Sequence, residues 1–215
     1  MIITIDGPAG SGKSTVAGLL AKKLGFIHFN SGSLYRAITA YLYEKNYDIK
    51  SLTSNSNIPK FNLSVKMIDG VQHIFVNNKD YTPVLRENHI STLVSSIALN
   101  KECRTKVDDC QRKFCNKNNI VIEGRDTGSF VFPNAEVKFY LDCSLKERAR
   151  RRFLEVKNKD NKITLKDIEK QLAERDKTDT TREFAPLVVP KDAIIVDSSS
   201  LSIDDVVNTL LTYIK

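Results

Sequence analysis

The sequence predicts an α/β fold, a parallel five-stranded sheet flanked by helices with a small antiparallel β subdomain inserted into it. Three observations predict it. Short apolar runs alternate with helix-periodic segments along most of the 215 residues, the pattern of a parallel sheet covered on both faces. A glycine-rich loop joins the first apolar run to the first helix. Near residue 70 the alternation gives way to two extended segments around an Asp-Gly pair, a strong short-range hairpin signal.

The elements follow in order. Ile2 to Ile5 form a short apolar run that ends at Asp6, as a buried parallel strand does. From residue 13 to 24, Val16, Ala17, Leu19, Leu20 and Leu24 recur at helical spacing, and Gly25 supplies the stop. Residues 26–29 predict a second strand and residues 32–43 a second helix. The polar stretch 50–60 marks a junction. Phe61, Leu63, Val65 and Met67 then alternate with polar residues, Asp69-Gly70 turns the chain, and Val71 to Val76 return.

Helical segments are expected over residues 86–114, and core strands at 120–122, 137–141 and 193–196. Ser144-Leu-Lys-Glu147 and Ser202-Ile-Asp-Asp205 read as helix starts of the capping-box type. In the last helix Ile203, Val206, Val207, Leu210, Leu211 and Ile214 form one apolar stripe.

Composition narrows the function classes. With 41% hydrophobic and 27% charged residues the chain is an ordinary globular protein with a real core. No stretch reaches the roughly 18 apolar residues of a membrane helix. The opening run lacks a basic leader, so a cytoplasmic location is expected. Cys103, Cys110, Cys115 and Cys143 show neither CxxC pairing nor metal-ligand spacing and are expected to be small apolar fillers. The net charge of +7 asks for a polyanionic partner. With no tryptophan and no interleaved aromatic signature, nucleic acid is not expected to be that partner.

Gly7-Pro8-Ala9-Gly10-Ser11-Gly12-Lys13-Ser14 matches G-x-x-x-x-G-K-[ST] and sits between a predicted strand and a predicted helix. Its glycines let successive N–H groups point at phosphate oxygens, and the helix start adds positive potential. Lys13 is expected to reach the β and γ phosphates of ATP or GTP, and the Ser14 hydroxyl to ligate Mg²⁺.

Beyond that loop the chain resembles the bacterial cytidylate kinases over nearly its whole length. The resemblance rests on GPAGSGKST at 7–15, NSGSLYR at 30–36, EGRDTGSFVFP at 123–133 and ERARRR at 147–152. ERDKTDTTREFAPL at 174–187 and DSSSLSIDDV at 197–206 complete it. It implies a nucleoside monophosphate kinase of the P-loop class. ATP is then the co-substrate, CMP and dCMP are acceptors, and residues 7–15 up to Thr15 form the ATP cradle. It also implies three regions: a core of 1–50, 84–149 and 183–215, a monophosphate-binding insert of 51–83, and a helical lid of 150–182. Asn30 and Glu123 depart from the family, where Asp is usual at both positions.

Among the acceptor-side residues, the resemblance gives Arg36, Arg125 and Arg182 to the acceptor phosphate and Arg175 and Asp179 to the ribose. Ser31 and Ser95 join the substrate set. Arginine suits phosphate because its planar fork grips two oxygens. Arg175, Asp179 and Arg182 stand at i, i+4 and i+7 and would share one helix face. Asp126 can accept from the cytosine amine and Arg104 can donate to the ring, a pattern that uracil reverses. Nine residues separate Ser95 from Arg104, so one straight helix would set them on opposite faces. The segment is therefore expected to break, with Asn100 capping a new helix. Arg148, Arg151 and Arg152 share a helix face and are expected to serve the ATP phosphates from the lid.

Two alternatives stay open on sequence grounds. One is a kinase for UMP, AMP or a small metabolite. The other is a P-loop module that senses nucleotide and regulates RNA or a partner. Nothing in the sequence forces more than a monomer.

Overall fold

The computed structural model describes residues 1–157 and 163–214. Its elements are β1 (Ile2–Asp6), α1 (Lys13–Leu24), β2 (Ile27–Asn30) and α2 (Ser31–Glu44). The strands β3 (Leu63–Ile68), β4 (Val71–Val76) and β5 (Lys79–Asp80) follow, then α3 (Asn88–Leu99) and α4 (Lys101–Cys115). Next come β6 (Ile120–Glu123), β7 (Val137–Asp142), α5 (Leu145–Val156), α6 (Leu165–Thr181), β8 (Ile194–Asp197) and α7 (Ile203–Leu211). The main sheet has five strands in the order β2-β6-β1-β7-β8, and a second sheet has three in the order β3-β4-β5. Part of the expected lid, residues 158–162, lies outside the described residues.

The chain forms two compact units, Met1–Phe26 with Val121–Lys215, and Ile27–Ile120. In the first, β1 runs parallel to β7 with Ile3 opposite Val137, and β7 parallel to β8 with Phe139 opposite Ile194. Its core gathers Ile3, Ile5, Leu20, Val121, Phe139, Leu141, Val207 and Leu210. The apolar stripe of α7 supplies Val206, Val207 and Leu210 to that core, as its periodicity predicts.

Helix α1 ends where Gly25 adopts φ 67, donating its amide to Lys22 O, while the Phe26 amide reaches Ala21 O at 2.9 Å. That pair of bonds is a Schellman stop. It corrects the expected strand start: the Phe26 amide belongs to the helix cap, so β2 begins at Ile27.

In the second unit α2 packs on α3, α4 and β4. The hairpin register pairs Leu63 with Val76 and Ile68 with Val71, and Asp69 and Gly70 take φ 51 and 75. Two successive positive φ values make the tight turn whose twist matches antiparallel strands. The short β5 was not legible in sequence, because two residues carry no periodicity.

The helix break is present. Helix α3 stops at Leu99, and the buried Asn100 caps α4 by accepting from the Cys103 amide at 3.1 Å. The Asn100 amide also donates to Thr53 O and Ser56 O, tying the polar junction to the helix pair. Of the expected capping boxes, Ser144 receives the Glu147 amide, but the Glu147 carboxylate turns to Arg150 and Arg151 instead. A reciprocal box forms at Thr164 and Asp167.

Candidate functional site

The first unit builds a cradle at the carboxyl ends of β1 and β6, where open α/β sheets bind ligands. β1 delivers Asp6 and then the loop; Gly12 caps α1 at φ 90, a left-handed position that suits glycine. Lys13 is buried, and its ammonium donates to Pro8 O at 2.5 Å and to Ser11 Oγ at 3.2 Å. Ser14 and Thr15 are exposed on the first turn of α1. Burial pushes the Lys13 ammonium well below the usual lysine range; neighbouring Arg125 and Arg175 add to that, while Glu123 and Asp6 oppose it. A polyphosphate placed against the loop reverses this balance, because an anion favours the charged form.

Helices α5 and α6 close on the loop. Arg148 is buried and donates to Cys143 O, to Ala9 O at 2.9 Å and to Asp176 Oδ2 at 2.6 Å. The other Asp176 oxygen accepts from the Ala9 amide at 3.1 Å. Arg151 donates to Ser198 O and Glu147 Oε1, and its Nη1 is 3.9 Å from where a side chain on Gly12 would start. Arg152 differs: it pairs with Glu155 on the exposed face of α5, half open to solvent. Two of the three expected lid arginines thus face the loop, and Arg152 does not.

A second cluster lies after β6. Arg125 Nε donates to Asp179 Oδ2 at 3.0 Å, Arg182 Nη1 stands 3.6 Å from Asp179 Oδ1, and Arg182 Nη2 is 3.3 Å from Asp126 Oδ1. Burial raises the Asp179 carboxyl, but Arg125, Arg175 and Arg182 outweigh it and hold the group below the usual carboxylate range. The cluster therefore pairs fixed guanidinium groups with fixed carboxylates. An incoming phosphate can compete for the guanidinium groups without their having to be gathered from solution.

The expectation that Arg182 shares a helix face with Arg175 and Asp179 is corrected. Helix α6 stops at Thr181, and Arg182 is its C-cap with φ −63 and ψ 142. Thr178, Thr180 and Thr181 bond back to carbonyls of the preceding turn, which weakens helix propagation, and the Leu187 amide takes Asp179 O. The extended cap still carries Arg182 back to Asp179 and Asp126, and its Nε donates to Ala185 O at 2.7 Å.

In the second unit Asn30 caps α2 by accepting from the Ser33 amide at 3.0 Å, a task that Asn and Asp perform alike. Ser31 is buried in the first turn and Arg36 lies along α2 over Gly32. Arg104 is fully buried on α4; its guanidinium stands 5.6 Å from the Tyr35 ring centre and donates to Ala98 O at 3.3 Å. Ser95 is half-buried on α3. The break at Asn100 is what sets Ser95 and Arg104 on separate helices.

Three residues escaped the sequence reading as site residues: Asp6, Glu123 and Asp176. Asp6 and Glu123 are buried at the carboxyl ends of β1 and β6. That position was the available signal. Asp176 lies inside the 174–187 motif, but no local pattern marked its role, since its partner Ala9 is 167 residues away.

Comparison with known proteins gives a consistent picture. A family model described as cytidylate kinase matches residues 3–215. The chain is 42% identical over 218 residues to a cytidylate kinase of Carboxydothermus hydrogenoformans, covering 100% of this chain and 97% of that one. It is 39% identical over 213 residues to one from Thermotoga sp. strain RQ2, covering 99% and 96%. Among solved structures, TT1252 from Thermus thermophilus aligns over 100% of this chain and 98% of its own at TM-score 0.51 and 14% identity. A shikimate kinase from Bacteroides thetaiotaomicron aligns over 99% and 97% at TM-score 0.50 and 13% identity. These two likenesses speak for the fold alone.

Proposed function

The chain belongs to the cytidylate kinase family, and from that premise we propose how its residues transfer the γ-phosphate of ATP to CMP, with dCMP as a second acceptor. The observation that carries the reading is the cluster in which Arg125 and Asp126, just past β6, meet Asp179 and Arg182 from the end of α6, in the unit that also bears the Lys13 loop.

Transfer between two nucleotides crowds several anionic phosphates together. Catalysis is then mostly neutralisation and in-line placement, and the acceptor phosphate is already a nucleophile that needs no strong base. In our reading the amides of residues 7–15 and the Lys13 ammonium hold the ATP phosphates. Arg148, with Arg151, covers them, and Arg152 stays at the periphery. Arg125 and Arg182 take the acceptor phosphate, and the family's motifs assign Arg36, on α2, to the same group. Asp179 and Arg175 address the ribose. Asp126 accepts from the cytosine amine, and Arg104, Ser95 and Ser31 are assigned to the substrate from the sequence reading. Closure of α5 and α6 excludes water and suppresses idle hydrolysis.

The oxygen donors near the loop suit a hard cation. The Ser14 hydroxyl is exposed on α1, and the Glu123 carboxylate is buried close enough to act on Lys13. Ser14, with phosphate oxygens and waters, would hold Mg²⁺, which would supply charge neutralisation to the ATP phosphates. We place the enzyme in the cytoplasm as a monomer acting on small nucleotides, without nucleic acid or membrane partners. Among the described residues no helix is long and apolar enough to cross a membrane.

A coupled ADP-release assay over CMP, dCMP, UMP and AMP tests the reading. CMP should exceed UMP and AMP in kcat/KM by about 100-fold or more, the scale on which buried polar groups reject a mismatched base. Equal use of UMP or AMP would reassign the acceptor. Acceptor-independent ATP consumption with salt-sensitive polynucleotide binding would point to a regulatory module instead.

A further inference from the structure

Asp6 is wholly buried at the end of β1, one residue before the phosphate loop, yet among the described residues its side chain bonds to Thr127 and Gly128 and not to that loop. Its Oδ1 accepts from the Thr127 amide at 2.9 Å and the Thr127 hydroxyl at 2.7 Å, and its Oδ2 accepts from the Gly128 amide at 2.7 Å. Those donors lie 121 and 122 residues away in sequence, directly after Arg125 and Asp126. They open the π-helical turn Thr127–Val131, in which the Phe130 and Val131 amides return to Asp126 O. The turn presses close: a side-chain carbon on Gly128 would start 2.6 Å from Thr4 Oγ1 and 3.4 Å from Asp6 Oδ2.

We propose that Asp6 is a positioning residue for the acceptor side. From the strand that carries the ATP cradle, its two carboxylate oxygens fix the Thr127-Gly128 amides, and so set where Arg125 and Asp126 stand. The inference rests on the reading of Arg125 and Asp126 given above. The chemistry of the carboxylate matters. The two backbone amides need acceptors on two different oxygens, and only a carboxylate offers both. In Asp6→Asn one of those amides must face an NH2 group, donor against donor. The turn then has to shift, although the side chain keeps its size.

The test is steady-state kinetics on folded variants, with melting temperature as the control. Loss of one such bond should raise KM for CMP about tenfold in D6N and lower the CMP-over-UMP preference by about as much, while KM for ATP stays within about twofold. Thr127→Val, which removes one donor, should move the same quantities less, and Thr127→Ser, which keeps it, should restore them. Gly128→Ala should imitate D6N without changing any charge. Thr4→Ala added to it removes the nearest obstructing atom, leaves Pro190 Cγ at 3.3 Å, and should recover CMP binding in part. Thr4 Oγ1 has no hydrogen-bond partner among the described residues, so that change forfeits no bond. D6N and Thr127→Val enzymes with altered melting but unchanged KM for CMP would overturn the proposal, as would equal rises in KM for ATP and CMP. An Asp126→Ala enzyme is the discriminating control. If it keeps its CMP preference, the acceptor reading fails and takes this inference with it; if it loses the preference while D6N retains it, the inference alone fails.

Discussion

Replacing Lys13 with Met should separate stability from activity in opposite directions. Lys13 is 4% exposed, and its ammonium bonds to Pro8 O and Ser11 Oγ, with no carboxylate partner among the described residues. Burying an ion in a protein costs several kcal/mol after relaxation. Two charge-assisted hydrogen bonds return about 1.5–3 kcal/mol each, so the two contributions nearly cancel. Methionine fills a similar volume with no charge to desolvate, which leaves the free enzyme unchanged or about 1 kcal/mol more stable. Turnover responds otherwise. Withdrawing a preorganised cation from the transferring phosphate forfeits about 4 kcal/mol of transition-state stabilisation, close to a thousandfold in rate. Urea denaturation of the nucleotide-free protein and the coupled ADP-release assay read the two quantities independently. A Lys13→Met protein more than 2 kcal/mol less stable, or one within tenfold of normal turnover, would refute the reasoning.

Two further changes probe the scaffold. Asn100→Ala removes the α4 cap and two amide donors from a fully buried position. It should destabilise the protein by about 3 kcal/mol, readable as a lowered urea midpoint. Glu147 tests pH dependence: hydrogen bonds from Arg150 and Arg151 hold its carboxyl down at about 2, against an ordinary 4.5. Its contribution is thus fully present above pH 4.5 and is lost as pH falls toward 2. The stability gap between wild type and Glu147→Gln should accordingly narrow across that window in denaturation titrations. A gap that is constant with pH would show that the carboxylate contributes nothing through its charge.

The balance of the site explains why parts of it look structural at first sight. Arg125, Arg182, Asp126 and Asp179 form ion pairs with one another in the protein alone. A phosphate entering there exchanges one anionic partner for another, so the guanidinium groups need little rearrangement. Arg148 is held likewise between Ala9 O and Asp176. The four cysteines are free, and burial pushes the thiols of Cys103 and Cys115 up to about 12 and that of Cys110 to about 11. These three thiols stay protonated at neutral pH and poor as nucleophiles.

Sequence by itself determined whatever depends on neighbours along the chain. The loop of residues 7–14, the Gly25 stop, the Asp69-Gly70 hairpin, the break at Asn100 and the stripe of α7 are all set by local dihedral preference, capping or periodicity. All are present in the fold. Family motifs likewise pointed to Arg125, Asp126, Asp179 and Arg182 before any distance was known. Tertiary structure alone decided which distant groups meet. Asp6 finds Thr127 and Gly128, Asp176 spans Ala9 and Arg148, and Arg182 leaves its helix to reach Asp126. No periodicity encodes those pairings, because contacts between residues from 28 to 167 positions apart exist only once the fold has brought their elements together.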